Sequence, residues 1–164
     1  MRMLLLKSLG VMILAAAASS ISVASADDAP KAVVDAVKAK FPKAEIKHVD
    51  KEEEDGEVVY ELRLQNGADR VEVEVREDGR ILQIETEVKP ADLPRPVADL
   101  VAAKHPGKPV KKAEKVVKFE KGAEVVTYEV VVEADGKKIE IEATPAGKLV
   151  DADGDDEHEE KDED

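Results

Sequence analysis

Apolar residues recur at two spacings along this chain, and the spacings alternate in blocks. Val33, Val37 and Phe41 stand four apart with Val34 beside them, which is the stripe of an amphipathic helix. Pro42 stops it. Period-two alternation follows. Val58, Tyr60, Leu62 and Leu64 face one way and Glu61 and Arg63 the other, then Val71, Val73 and Val75 alternate with Glu72, Glu74 and Arg76. Asn66-Gly67 and Asp78-Gly79 supply turns, and Ile81–Glu87 reads as a further strand.

The same blocks then recur. Val97, Leu100 and Val101 restate the helical stripe, ended by Pro106. Tyr128, Val130 and Val132, the turn Asp135-Gly136, and Ile139, Ile141 and Ala143 restate the strands. Residues 30–42 align without gaps to 94–106 at an offset of 64, whereas Tyr60, Val71–Glu74 and Gly79 align to Tyr128, Ile139–Glu142 and Gly147 at 68. The second copy therefore carries four extra residues before its tyrosine. Asp28 with Pro30, and Asp92 with Pro94, are placed to begin the two helices. First strands near Ala44–Asp50 and Pro109–Val117 alternate less clearly, and Val116–Val126 reads as a long loop with Phe119 at its tip.

The expected fold is α+β: two tandem repeats, each an N-terminal helix packed on a roughly four-stranded antiparallel sheet with one dry face. A unit of about 60 residues is marginal alone, so the two either dock or join their sheets. The expected division is 1–26 a signal peptide, 27–88 the first repeat, 89–150 the second, and 151–164 a disordered acidic tail.

Arg2 and Lys7 precede a short apolar run, Leu9–Ala18, and Ala24-Ser25-Ala26 forms a cleavage site. Export to the periplasm or beyond is the expectation, with no membrane attachment after cleavage. Cysteine is absent, which excludes disulfides and thiolate chemistry. The chain carries a net charge of −13, with ten acidic side chains against Lys161 in residues 151–164. That balance argues against nucleic acid as a partner.

Catalytic signatures are missing. Every serine lies within residues 1–26, and His48, His105 and His158 have no paired-ligand spacing. His105 reads as a helix C-terminal residue and His48 as a strand-surface one. The outward glutamates show no matched acid–base pair, and no cofactor is implied. Asp151, Asp153 and Asp155 alternate as hard-cation ligands can, although the pattern is not an EF-hand. Weak association of divalent cations there is the metal expectation.

Phe41-Pro42-Lys43-Ala44-Glu45-Ile46, Val59-Tyr60-Glu61, Val71-Glu72-Val73-Glu74 and Asp78-Gly79, with their second-copy partners, resemble one family. It is the β-lactamase-inhibitor-like, PepSY-like family of exported bacterial proteins, and the likeness covers about residues 29–150. The resemblance implies the helix-on-sheet repeat, an envelope location, and a non-enzymatic role in binding or inhibiting a protein or peptide. For such a partner the expected contact residues are Phe119, Glu120 and Lys121. The competing expectation is an acidic Ca²⁺- or Zn²⁺-binding envelope protein acting through its surface and tail.

Overall fold

The computed structural model describes residues 29–150 except 55, 121 and 135. The expected signal peptide and acidic tail, with Asp28, Asp151, Asp153, Asp155 and His158, lie outside the described residues, as does Lys121.

Helix α1 spans Lys31–Lys40 and buries Val33 and Val37. Strands β1 (Glu45–Glu54), β2 (Glu57–Asn66), β3 (Asp69–Arg76) and β4 (Ile81–Glu87) follow, then a 3₁₀ turn at Pro90–Asp92. Helix α2 spans Arg95–Lys104 and buries Val97 and Val101. Strands β5 (Val110–Glu120), β6 (Ala123–Ala134) and β7 (Lys137–Ala143) are the last strands among the described residues. Among the described residues no helix is long and apolar enough to cross a membrane.

The expectation of two repeats, each with its own four-stranded sheet, is corrected. All the strands belong to one antiparallel seven-stranded sheet in the order β1-β2-β3-β4-β5-β6-β7. The join is β4 with β5, in register from Gln83↔Lys118 to Glu87↔Glu114. Its physical reason is that two separate sheets would leave four open edges of unpaired N–H and C=O groups, and joining them removes two. The second half supplies three strands, with Leu149 making only a single bridge to Ala143. The supposed loop Val116–Val126 is corrected as well: it is a hairpin, strand through Glu120 and strand again from Ala123. Asp92 does not cap α2, whose N-cap is Pro94 without a side-chain bond.

Both helices cover the same face. Val117 of β5 packs into the first core, around Val37, Leu62 and Val73, while Ala113 packs into the second, around Val97, Val130 and Ile141. The four-residue separation keeps both on one side of the strand. Each helix is met by a glycine turn. Gly79 (φ +87°) lies where a Cβ would stand 2.8 Å from the Ala32 carbonyl oxygen, and Gly147 (φ +77°) where it would stand 2.5 Å from that of Pro96. Only glycine suits both the left-handed backbone and the close approach.

Candidate functional site

The other face of the sheet carries no helix, and its side chains follow from strand alternation. With Tyr60, Leu62, Ile84 and Val130 turned to the helices, their neighbours Glu61, Arg63, Glu85 and Glu129 turn away. Glu114 stands opposite Glu129, which stands opposite Glu142. Glu85 lies diagonally from Glu114, because its direct partner is Val116.

This register brings Glu85, Glu114 and Glu129 together at the middle of the open face, with one carboxylate oxygen from each within 4.8 Å of the others. Glu114 is buried and pairs with Lys112 Nζ at 2.7 Å. Gln83 Nε2 donates to Glu85 at 2.6 Å. Beside them Glu142 accepts from Thr127 Oγ1 at 2.8 Å and Lys118 Nζ at 3.2 Å. Val116 is fully buried in the same face.

Crowding of like charge in a partly dry setting raises the carboxyl pKa values. Burial, then repulsion from Glu114 and Glu72, pushes Glu85 up to about 7. Burial, then repulsion from Glu85, Glu140 and Glu142, pushes Glu129 up to about 7. Glu72 also rises, through burial and then Glu61. Burial alone would lower the Lys112 ammonium, but its bond to Glu114 and the surrounding carboxylates hold it above its ordinary value.

Towards β1 the same face is neutralised differently. Arg63 Nη2 reaches Glu61 at 2.8 Å and the buried Asp50 at 3.3 Å, and its Nε lies 3.8 Å from Glu72. His48 Nε2 is 2.9 Å from Asp50.

The triad was missing from the sequence expectations. Alternation between Tyr128 and Val130 turns Glu129 outward, but nothing in the sequence alone groups it with Glu85 and Glu114. The structure brings Glu85, Glu114 and Glu129 together. A signal for Glu85 was present, since it follows Ile84 in an alternating run; that for Glu114 was hidden in the poorly alternating β5. Phe119 is half-buried against the first core, with Lys40 Nζ 5.6 Å from its ring centre, and Glu120 is exposed at the hairpin end. Both stand away from the carboxylate triad. His105 closes α2, its N–H bonded to the Val101 carbonyl.

Three hard oxygen donors at this separation could share a divalent cation or meet a cationic side chain. Glu85 and Glu129 could also exchange a proton near neutral pH.

The family model described as "Putative beta-lactamase-inhibitor-like, PepSY-like" matches residues 17–83 and again 59–151, and the chain belongs to that family. Among curated proteins none matches. The fold is similar to several crystal structures. A BLIP-like protein from Bacteroides fragilis is 24% identical, with a TM-score of 0.60 over 79% of this chain and 92% of that one. A DUF2874 family protein from Bacteroides uniformis is 20% identical, with a TM-score of 0.62 over 75% and 87%. One of the "putative periplasmic proteins" of Bacteroides eggerthii is 19% identical, with a TM-score of 0.63 over 75% and 86%.

Proposed function

We propose that this protein is a non-catalytic binding module of the cell envelope whose open sheet face receives a lysine- or arginine-bearing segment of another protein or a peptide. The observation that carries the reading is the convergence of Glu85, Glu114 and Glu129 within 4.8 Å, with Lys112 and Lys118 the nearby cations and each already paired to a glutamate. An incoming cation relieves repulsion that Lys112 and Lys118 leave partly uncompensated, so that Glu85 and Glu129 hold protons up to about pH 7. The inhibitor-like family, the expected signal and the absence of serine and cysteine nucleophiles from the chain after residue 26 support a binding role over a catalytic one.

The linkage makes a specific expectation. At pH 7 Glu85 and Glu129 are partly protonated, and a bound cation drives those protons off. Calorimetry with an arginine-rich peptide, repeated in buffers of different ionisation enthalpy, should show proton release that disappears in Glu85→Gln/Glu129→Gln. Peptide binding as tight to the double variant as to the unaltered chain, or binding to the unaltered chain that releases no protons, discards the proposal.

A second reading, a divalent cation on the same three carboxylates, is favoured by their spacing. Titration of Ca²⁺ or Zn²⁺ alone separates the two: heat lost in Glu114→Gln supports the metal, and no heat removes it. Asp151, Asp153 and Asp155 are a further candidate ligand set, tested by the same titration after deletion of 151–164. Phe119 and Glu120 at the end of β5, with Lys121 next in sequence, remain a smaller candidate contact. Because Phe119 also packs in the first core, its exposed neighbour Glu120 is the better probe, and Glu120→Ala should weaken capture if that end takes part.

A further inference from the structure

The two margins of the sheet differ. On the outer side of β7, Thr144 N–H donates to the Lys148 carbonyl at 2.8 Å, and the Glu142 carbonyl accepts from Val150 N–H at 2.9 Å. Backbone groups along a strand point to its two sides at alternate residues, so the N–H and C=O of Lys138 and Glu140 also face away from β6. Among the described residues only Leu149 bridges to that side, at Ala143, and Lys137–Ile141 has no outer partner. The opposite margin is blunted: β1 has a register shift between Ile46 and His48 and carries Glu52 and Glu53 towards its end. β7 pairs with β6 without a shift and is guarded by Lys137 and Lys138 alone.

We infer that two copies of this chain join β7 to β7, antiparallel about Ile139, so that Lys138 of each lies opposite Glu140 of the other. Charge selects this register. Neither Lys138 nor Glu140 has an ion-pair partner among the described residues. Across β6, Lys138 meets Glu133, which Lys111 already holds at 3.0 Å, and Glu140 meets Val131. An axis at Lys138 or Glu140 would set like charges face to face, and one at Ile141 would set Glu140 opposite Glu142. The axis at Ile139 sets opposite charges against each other, and does so twice. It also aligns the outward backbone groups, with two hydrogen bonds for each Lys138–Glu140 pair. The ladder stops short of Glu142, whose carbonyl Val150 occupies.

The faces match as well. Ile139 and Ile141 pack on the second core, so Glu140 between them lies on the open face. In the joined sheet Ile139 of one copy meets Ile139 of the other, and the two second cores approach through them. All the helices then lie on one side and both carboxylate triads on the other. The contact reaches the triad, because Glu140 is among the carboxylates that repel Glu129, and a lysine of the other copy relieves that repulsion. Such a dimer is isologous and closes on itself. Its ladder covers about 17 Å, short enough to put the Kd at roughly 0.1 mM.

Sedimentation equilibrium of the full chain from about 0.01 to 1 mM tests this. The expected result is a monomer–dimer equilibrium that weakens as salt is added. Lys138→Glu and Glu140→Lys should each weaken it about tenfold, since either turns both attractions into repulsions. The combined variant Lys138→Glu/Glu140→Lys should restore it, which a merely structural effect of the two changes would not do. A chain that stays monomeric to about 1 mM overturns the inference. So does a dimer indifferent to both single variants, or one that the combined variant fails to rescue. Mass that grows past the dimer also overturns it, because that assigns β7 to β1 of the next copy, a contact that does not close.

Discussion

Glu61 and Glu129 occupy equivalent places, each directly after the tyrosine of its strand, yet their surroundings differ, most of all two positions further on. Two positions beyond Glu61 stands Arg63, which binds it twice, at 2.8 and 3.0 Å. Two positions beyond Glu129 stands Val131, and Glu129 is raised to about 7. The first half of the open face carries its own guanidinium, which bridges Glu61 and the buried Asp50. The second half has Val131 at the equivalent place, and Glu85 of β4 and Glu114 of β5 crowd around Glu129. One frame thus yields a self-neutralised region and a charge-frustrated one, and the frustrated region is the one suited to an external partner. The helix-facing sides differ too. Tyr60, Leu62, Leu64 and Ile84 fill the first core, with Phe119 reaching in from the second half, whereas Val130, Val132, Ala113 and Ala143 fill the second.

The largest test of this contrast lies in the cores. Leu62→Ala should cost about 3–4 kcal/mol and Val130→Ala about 2 kcal/mol, read from urea unfolding. Equal losses would break the idea that the first core carries more of the stability. Next is pH. Glu85 and Glu129 titrate at about 7 when folded against an ordinary value of 4.5, so between those values the native state binds more protons. The stability they contribute is complete below about pH 4.5 and is lost as pH rises through 7. Between pH 5 and pH 8 the chain should lose ~1–2 kcal/mol, allowing for their partial exposure and shared repulsion. Glu129→Gln should flatten that slope, and a slope unchanged by it would remove Glu129 from the frustrated set. The smallest effect sharpens the comparison most. Val131→Arg copies the Glu61–Arg63 pair into the second half and should lower the Glu129 pKa by about one unit, followed by carboxyl NMR titration. No shift would mean that position along the strand, rather than the arginine, separates the halves.

Much of the fold was legible because local spacing determines it. The stripe of Val33 and Val37 fixed α1, and Val71, Val73 and Val75 fixed which face of β3 is dry. The join of β4 to β5 was not legible, since alternation looks the same whether a strand's neighbour belongs to its own half or the other. The candidate site depends on that join: Glu85 and Glu114 are 29 positions apart, on strands that meet only there. β5 itself was obscured because it lies inside the sheet, burying Val116 on one face while Val117 and Phe119 pack on the other. Apolar residues on both sides erase the period-two signal. The pairing of Glu61 with Arg63 could have been guessed from a separation of two on one strand, and with it the loss at Val131.

Chain order and spatial order coincide across all seven strands. Each strand finds its partner next along the polypeptide, and α2 is the longest detour. Loop closures are therefore short, which favours rapid assembly for a β-rich protein. The same order governs how it comes apart. A force applied at the two ends of the sheet acts on β1 and β7 first, and each strand removed exposes the next to the load. Such a sheet peels strand by strand from its margins, and the β4–β5 seam, with the carboxylate triad upon it, is the last to be reached.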